Sequence, residues 1–315
     1  MNIKEISSRL AAVKEHMAKV IVGKEEPLEL MLNALLCRGH VLLEDVPGIG
    51  KTTMVSTLAR SLGLSFHRIQ FTPDVMPSDV TGFSLYNPVN GKFEHHPGAV
   101  MCQLLLADEI NRTSPKTQSS LLEVMQENQV TVDGTTYPVP RPFMVLATQN
   151  PVEHVGTYPL PEAQLDRFMM RITLGYPTMA EEMQIYTRFM DDSPLKHLYP
   201  VIDEESVIAL QDAVATVFCG DPIKQLVAQI AAATRQHSDL ALGVSPRGAL
   251  MLIMASRGRA LLHGRDYVLP DDVLTLAVPV LAHRLLMRPE GRLRQVSPVQ
   301  VLREILANTP IPSAK

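Results

Sequence analysis

The chain has 315 residues, a formal charge of −4 and three cysteines, long enough to bury a large core in one large or two modest domains. Charges of both signs are mixed, so no strongly basic surface for nucleic acid is expected. Cys37, Cys102 and Cys219 lie far apart without C-x-x-C spacing and read as buried reduced thiols rather than a metal site or disulfide framework.

The N-terminus alternates charged and apolar residues and has no h-region, which argues against a signal peptide. No apolar run is long enough to span a bilayer, so a cytoplasmic protein with no membrane insertion is expected. Ile3, Ile6, Leu10, Val13 and Met17 recur at helical intervals, and Pro27 opens a second helix through Leu35. Ile21-Val-Gly-Lys24 lies between them.

Strands are expected at 41–44, 66–71, 101–107, 143–148 and 169–174, alternating with helices after Lys51 and after Ser114, where Ser114-Pro115 supplies an N-cap and a favourable first residue. Alternation of this kind predicts an α/β fold, a parallel sheet with helices on both faces. Two stretches exceed a minimal sheet. Residues 72–98, rich in Pro, Gly and Asn, are too long for an ordinary connection and suggest either a functional loop or an inserted hairpin-helix unit. Residues 129–140 hold Asp133-Gly134, a two-residue turn that sets Val130 across from Tyr137 in a protruding hairpin. After Tyr176-Pro177, a plausible hinge, helix starts replace strand signals: Asp203, Ser245-Pro246, Pro270-Asp271-Asp272 and Ser297-Pro298. The expected organisation is an α/β core over 1–177 carrying the two insertions, and an all-helical domain over 178–315.

Between strand and helix, His40-Val-Leu-Leu-Glu-Asp-Val-Pro-Gly-Ile-Gly-Lys-Thr-Thr53 has the form of a triphosphate cradle. Its glycines let backbone N–H groups close on phosphate oxygens, Lys51 reaches the outer phosphates, and the Thr52 hydroxyl can hold Mg²⁺ at a helix N-terminus that favours anions. Asp45 replaces the first glycine of G-x-x-x-x-G-K-[ST] and brings a carboxylate near the phosphates. Leu104-Leu-Leu-Ala-Asp-Glu109 delivers two acids at the C-terminal end of a buried strand, the edge where open α/β sheets bind ligands. Asp108 suits Mg²⁺, mostly through water, and Glu109 suits polarising the attacking water. His95-His96 reads as exposed loop chemistry, while Met179 with Met183 and Met251 with Met254 read as core packing.

Taken with Leu43-Glu-Asp-Val-Pro-Gly-Ile-Gly-Lys-Thr52, Leu106-Ala-Asp-Glu-Ile-Asn-Arg112, Pro115-Lys-Thr-Gln118, Ala147-Thr-Gln-Asn-Pro151, Leu160-Pro-Glu-Ala-Gln-Leu-Asp-Arg-Phe168 and Ser245-Pro-Arg247, the chain resembles the MoxR family of AAA+ ATPases over nearly its whole length. The resemblance implies a P-loop core with a C-terminal helical lid, the cofactors ATP and Mg²⁺, and nucleotide contacts from Pro47, Gly48, Ile49, Gly50, Lys51, Thr52 and Thr53. It implies that Asn150 helps place the lytic water as sensor 1 and that Arg247 is sensor 2. Arg247 also stands at a positive helix end, a poor place for a cation unless an anion binds there. Arg167 matches an arginine finger reaching a neighbour's nucleotide, with an ion pair to Asp166 or Glu162 as its alternative, and Val22 and Gly23 match the segment beside adenine. A homo-hexameric ring that remodels or matures protein complexes, often with a partner bearing a von Willebrand factor A domain, is the implied activity. A magnesium-chelatase-like motor subunit and a nucleotide-gated scaffold are its rivals. Arg284, Arg288, Arg292 and Arg294 raise a nucleic-acid motor and are read instead as a helix face or subunit contact.

Overall fold

The computed structural model of the chain describes residues 3–46, 48–149, 156–190 and 192–311. In order these form α1 (Ile3–Ala18), α2 (Glu25–Leu36), β1 (Val41–Glu44), α3 (Lys51–Ser61), β2 (Phe66–Gln70), α4 (Pro77–Thr81), β3 (Gly82–Asn87), β4 (Lys92–Pro97) and β5 (Leu104–Asp108). Then come α5 (Pro115–Glu127), β6 (Gln129–Val132), β7 (Thr135–Pro138), β8 (Met144–Gln149), α6 (Glu162–Leu165), β9 (Met170–Ile172), α7 (Met179–Phe189), α8 (Glu204–Thr216), α9 (Asp221–Gln236), β10 (Leu240–Leu242), α10 (Pro246–Leu262), α11 (Pro270–Leu281), β11 (Leu286–Met287), α12 (Pro289–Leu293) and α13 (Pro298–Asn308). They group into two compact units, one of Ala12–Leu160 with Ile172–Ile208, the other of Met1–Ala11, Pro161–Arg171 and Ala209–Lys315.

The first unit is built on parallel strands in the order β2-β5-β8-β1. Leu104, Leu105, Leu106 and Ala107 of β5, and Met144 to Ala147 of β8, are wholly buried, as continuous apolar strands covered on both faces must be. Each fully buried leucine contributes about 1.5–3 kcal/mol relative to exposure. At the edge, β2 is only half-covered, which lets it carry Arg68 at its middle and Gln70 at its end. Helix α5 starts where Ser114 Oγ accepts the Thr117 N–H at 3.3 Å. Buried His40 joins two elements: its Nε2 donates to the Met125 carbonyl at 2.9 Å and its Nδ1 accepts from Val145 N–H at 3.0 Å.

Both insertions carry hairpins. Residues 72–98 contain α4 and the β3–β4 pair, with Tyr86 across from Phe93; β6 and β7 pair with Val130 across from Tyr137, turning at Asp133 and Gly134, both at positive φ. Ring stacking joins the two hairpins: the His95 and Tyr137 rings lie 4.0 Å apart at 10°. His95 and His96 therefore belong to a strand rather than an exposed loop, and His96 stacks on Phe83 at 5.3 Å.

Several local expectations shift. Helix α2 begins two residues before Pro27, which the helix accommodates because its first turn has no intrahelical use for that N–H. Strand β5 begins at Leu104, since Met101 and Cys102 donate their N–H groups to the turn carbonyls of Gly98 and Val100. Met179 and Met183 are not core residues: they are 82% and 58% exposed, on the face of α7 that also shows Tyr186 and Met190.

The second unit contains most of α8 and all of α9 to α13, with a short antiparallel β10–β11 ribbon added to its helices. Helix starts follow the expected signals: Ser245 Oγ accepts Gly248 N–H at 3.0 Å, and Ser297 Oγ accepts Gln300 N–H at 3.2 Å. Of the four arginines read as a helix face or subunit contact, three have local partners. Arg284 is buried, Arg288 Nε donates to the Leu240 carbonyl at 3.0 Å, and Arg294 pairs with Asp239. Each instead ties a local crossing of chain.

Candidate active site

The turn after β1 opens onto free space. Gly48 and Gly50 have φ of +85° and +88°, and a Cβ built on either would meet no atom within 4 Å. Side-chain residues avoid that backbone region, and the open flank leaves room for an anion against the N–H groups. Gly50 leads into α3 with Lys51 as its first residue. Lys51 Nζ donates to the Asp45 carbonyl at 2.8 Å; burial lowers its pKa, against the opposing pull of Asp108, Asp45 and Glu109. The Asp45 carboxylate does not face this space. It accepts the backbone N–H of Leu174 and, at 3.4 Å, that of Gly175. The expected carboxylate beside the phosphates is thereby corrected: its oxygens are spent on the chain entering Gly175.

Across from the loop, β5 presents its acids in a cavity of about 260 Å³ shared with Gly48, Gly50, Lys51 and Thr52. Thr148, on adjacent β8, donates through Oγ1 to Asp108 Oδ1 at 2.6 Å and accepts Glu109 N–H at 2.8 Å. Those bonds hold Glu109 at φ +58°, a left-handed conformation that costs a non-glycine residue about 1–3 kcal/mol and turns its side chain away from the strand direction. Like Thr148, three further residues absent from the expected set complete the network. Arg68 Nη2 lies 2.6 Å from Asp108 Oδ2, and Gln70 Nε2 donates to Glu109 Oε2 at 2.8 Å. Arg112 Nε stands 3.0 Å from the same Glu109 oxygen. Parallel pairing of β2 with β5 sets Gln70 beside Asp108, a register that sequence spacing alone does not reveal.

On the other side of the loop is an apolar pocket of about 250 Å³, lined by Val20, Val22, Ile49, Met54, Ile185 and Phe189, with Thr53 at its wall. It has the size and character to take a planar heteroaromatic base. Gly23, between the lining residues Val22 and Lys24, has φ +66°, and an added Cβ there would stand 1.8 Å from Glu181 Oε1. Glu181 is itself held, accepting Thr178 N–H at 2.6 Å in the cap of α7. Ile185 and Phe189 were hidden from sequence reasoning because they lie beyond Tyr176-Pro177; the amphipathic pattern of α7 was the available signal.

Lys51, Thr52, Asp108 and Glu109 are thus brought together, with Val22, Ile49 and Thr53 around the adjoining pocket and Gly23 next to Val22 in the chain. Pro47 and Asn150 lie outside the described residues. Arg167 and Arg247 belong to the second unit. Arg247 is exposed in the first turn of α10, and Arg167 is half-buried after α6. Arg167's neighbour Asp166 is taken by Arg284, whose Nε donates to its Oδ1 at 2.8 Å while Nη2 donates to the Phe168 carbonyl at 2.6 Å. Burial lowers the Arg284 pKa to about 10, leaving it charged at neutral pH. Arg284 is therefore a clasp on the segment that carries Arg167, not a surface cation.

For a divalent metal, the hydroxyl of Thr52 and the carboxylate of Asp108 are hard oxygen donors in one cavity. Among the described residues no group of three or more His, Cys, Asp or Glu side chains could hold a metal ion. One carboxylate and one hydroxyl fit Mg²⁺, which keeps waters and takes phosphate oxygens instead of an all-protein cage.

Residues 40–170 match the profile of the ATPase family associated with various cellular activities (AAA), and residues 232–305 match the AAA lid domain. The chain is 52% identical to the uncharacterized protein YeaC of Bacillus subtilis (strain 168), over 96% of this chain and 95% of that protein. It is 43% identical to the chaperone MoxR1 of Mycobacterium tuberculosis, over 93% and 80%. A crystal structure from Cytophaga hutchinsonii, provisionally described as an ATPase, superposes with a TM-score of 0.93 at 38% identity, covering 99% of this chain and 97% of that one. No described helix is long and apolar enough to cross a membrane.

Proposed function

The chain belongs to the MoxR family of AAA+ ATPases, and from that premise we propose that it binds ATP with Mg²⁺ and hydrolyses it to remodel or mature protein complexes. The observation that carries the reading is the convergence of Lys51, Thr52, Asp108 and Glu109 on one cavity beside an apolar pocket.

In this reading the base lies in the apolar pocket by Val22 and Gly23, and the N–H groups of 48–53 face the phosphates at the positive end of α3. Lys51 Nζ exchanges the Asp45 carbonyl for the outer phosphates. Thr52 and Asp108 would hold Mg²⁺, which when bound neutralises charge on the β- and γ-phosphate oxygens. Glu109 orients the attacking water and takes up its proton, and the Thr148 and Gln70 contacts fix where that carboxylate points. Asn150 acts as sensor 1 and Arg247 as sensor 2. Arg167 acts on a neighbouring copy's nucleotide within a homo-hexameric ring, stabilising the charge that develops on transfer. Residues 178–315 serve as lid, and the two hairpins deliver force to a protein client, with a von Willebrand factor A domain protein as working partner.

Glu109→Gln tests the assignment. The variant should bind ATP as the wild type does and lose turnover by about 10²-fold or more, the usual scale for a removed general base; unchanged turnover would remove Glu109 from the mechanism. The same variant, locked on ATP, is the bait with which to capture the client.

A further inference from the structure

Arg68 reaches the centre of the phosphate cavity although no motif announced it. It projects from edge strand β2, with Nη2 2.6 Å and Nε 3.3 Å from Asp108 Oδ2, and Nη2 also 2.8 Å from Gln70 Oε1. The second Asp108 oxygen accepts from Thr148 at 2.6 Å. The oxygen that Arg68 engages is the one left for a metal or its water, and two cations repel each other too strongly to share it at hydrogen-bond range.

We infer that Arg68 is an exchangeable stand-in for Mg²⁺ at Asp108: it cancels the carboxylate's repulsion of a metal-free triphosphate and yields its place to the metal. The inference rests on the ATP and Mg²⁺ reading above. Exposure separates this arginine from a structural one. Its side chain is 46% exposed, against 1% for Arg284 in its pair with Asp166. A pair open to water on an edge strand is weak, and its guanidinium can swing into solvent without leaving a buried charge unpaired. Arg284 has no such route, because its other donors are bound to carbonyls of 166–169. Weakness is what exchange requires, since a divalent ion must win the site when it arrives.

The test is equilibrium binding of a fluorescent ATP analogue to the full-length protein, in EDTA and in excess Mg²⁺, for wild type, Arg68→Gln and Arg68→Lys. Arg68→Gln should weaken binding in EDTA about fivefold, the upper end for an exposed ion pair, with no loss in Mg²⁺, so that the ratio of the two affinities widens. Arg68→Lys should restore the wild-type ratio. Equal weakening in both media would make Arg68 a phosphate ligand, and no change in either would make it a surface ion pair; both results overturn the proposal. Wild-type protein that failed to bind in Mg²⁺ would instead overturn the ATP reading on which it rests.

Discussion

The carboxylate of Asp45 accepts the backbone N–H of Leu174, 129 residues further along the chain, while the Asp45 carbonyl accepts from Lys51. One residue thus joins the start of the phosphate loop to the chain that leads into Gly175 and α7. Asp45→Ala should lower stability by about 1–3 kcal/mol, because a buried N–H loses its acceptor, read as a shift in denaturant midpoint. ATP affinity should not improve in Asp45→Asn. Tighter binding by the asparagine variant would mean that the carboxylate does oppose the phosphates.

Gly23 has both a positive φ and no space for a side chain, with Glu181 pinned against it by Thr178. Gly23→Ala should reduce nucleotide affinity by about tenfold or more, the equivalent of roughly 1.4 kcal/mol of strain or displacement beside the base. Adding Glu181→Ala removes the collision but not the backbone strain, so affinity should return only in part. Full affinity in the single variant would separate Gly23 from the base pocket.

His40 is wholly enclosed, and burial lowers its pKa to about 4, the Met125 carbonyl opposing only in part. Its Nδ1 accepts from Val145, so protonation there breaks a bond inside the sheet. An unfolded histidine takes its proton near pH 6.5, so the unfolded chain binds more protons between about pH 6.5 and pH 4. The contribution is complete above pH 6.5 and lost as pH falls to about 4, amounting to about 3 kcal/mol. His283, whose pKa burial and Arg284 also depress, acts in the same direction. Urea midpoints should fall over that window. His40→Gln should be less stable at pH 7 but show a shallower acid slope, and an unchanged slope would assign the loss to other groups.

Arg167 and Lys51 can be tested against each other. Arg167→Ala and Lys51→Ala should each be inactive alone, and mixing them should recover some hydrolysis if one copy's arginine completes another's site. Mixtures that stay inactive at every ratio would argue against an arginine acting in trans.

The core strands and the loop at 41–53 were legible because parallel strands buried on both faces have no choice but continuous apolar sequence, and because a tight phosphate turn needs glycine where φ is positive. The Val130–Tyr137 register was legible for a similar reason: Asp133-Gly134 leaves one pairing. The exposed methionines of α7 were not. Periodicity reports that a helix has an apolar stripe, and here two such stripes exist, one at Ile185 and Phe189 on the pocket and one at Met179 and Met183 facing solvent.

Short-range chemistry, in short windows of the chain, determined by sequence alone that this protein has a phosphate turn, an acidic strand end, two hairpin insertions and a helical C-terminal region. The tertiary structure decided what those windows share. Parallel register put Arg68 and Gln70 against Asp108 and Glu109, and chain return put Leu174 on the Asp45 carboxylate, Glu181 on Gly23 and Arg284 on the Arg167 segment. Each of these pairs spans tens of residues or more, and a hydrogen bond selects its partner by position in space, which residue spacing along the chain does not encode.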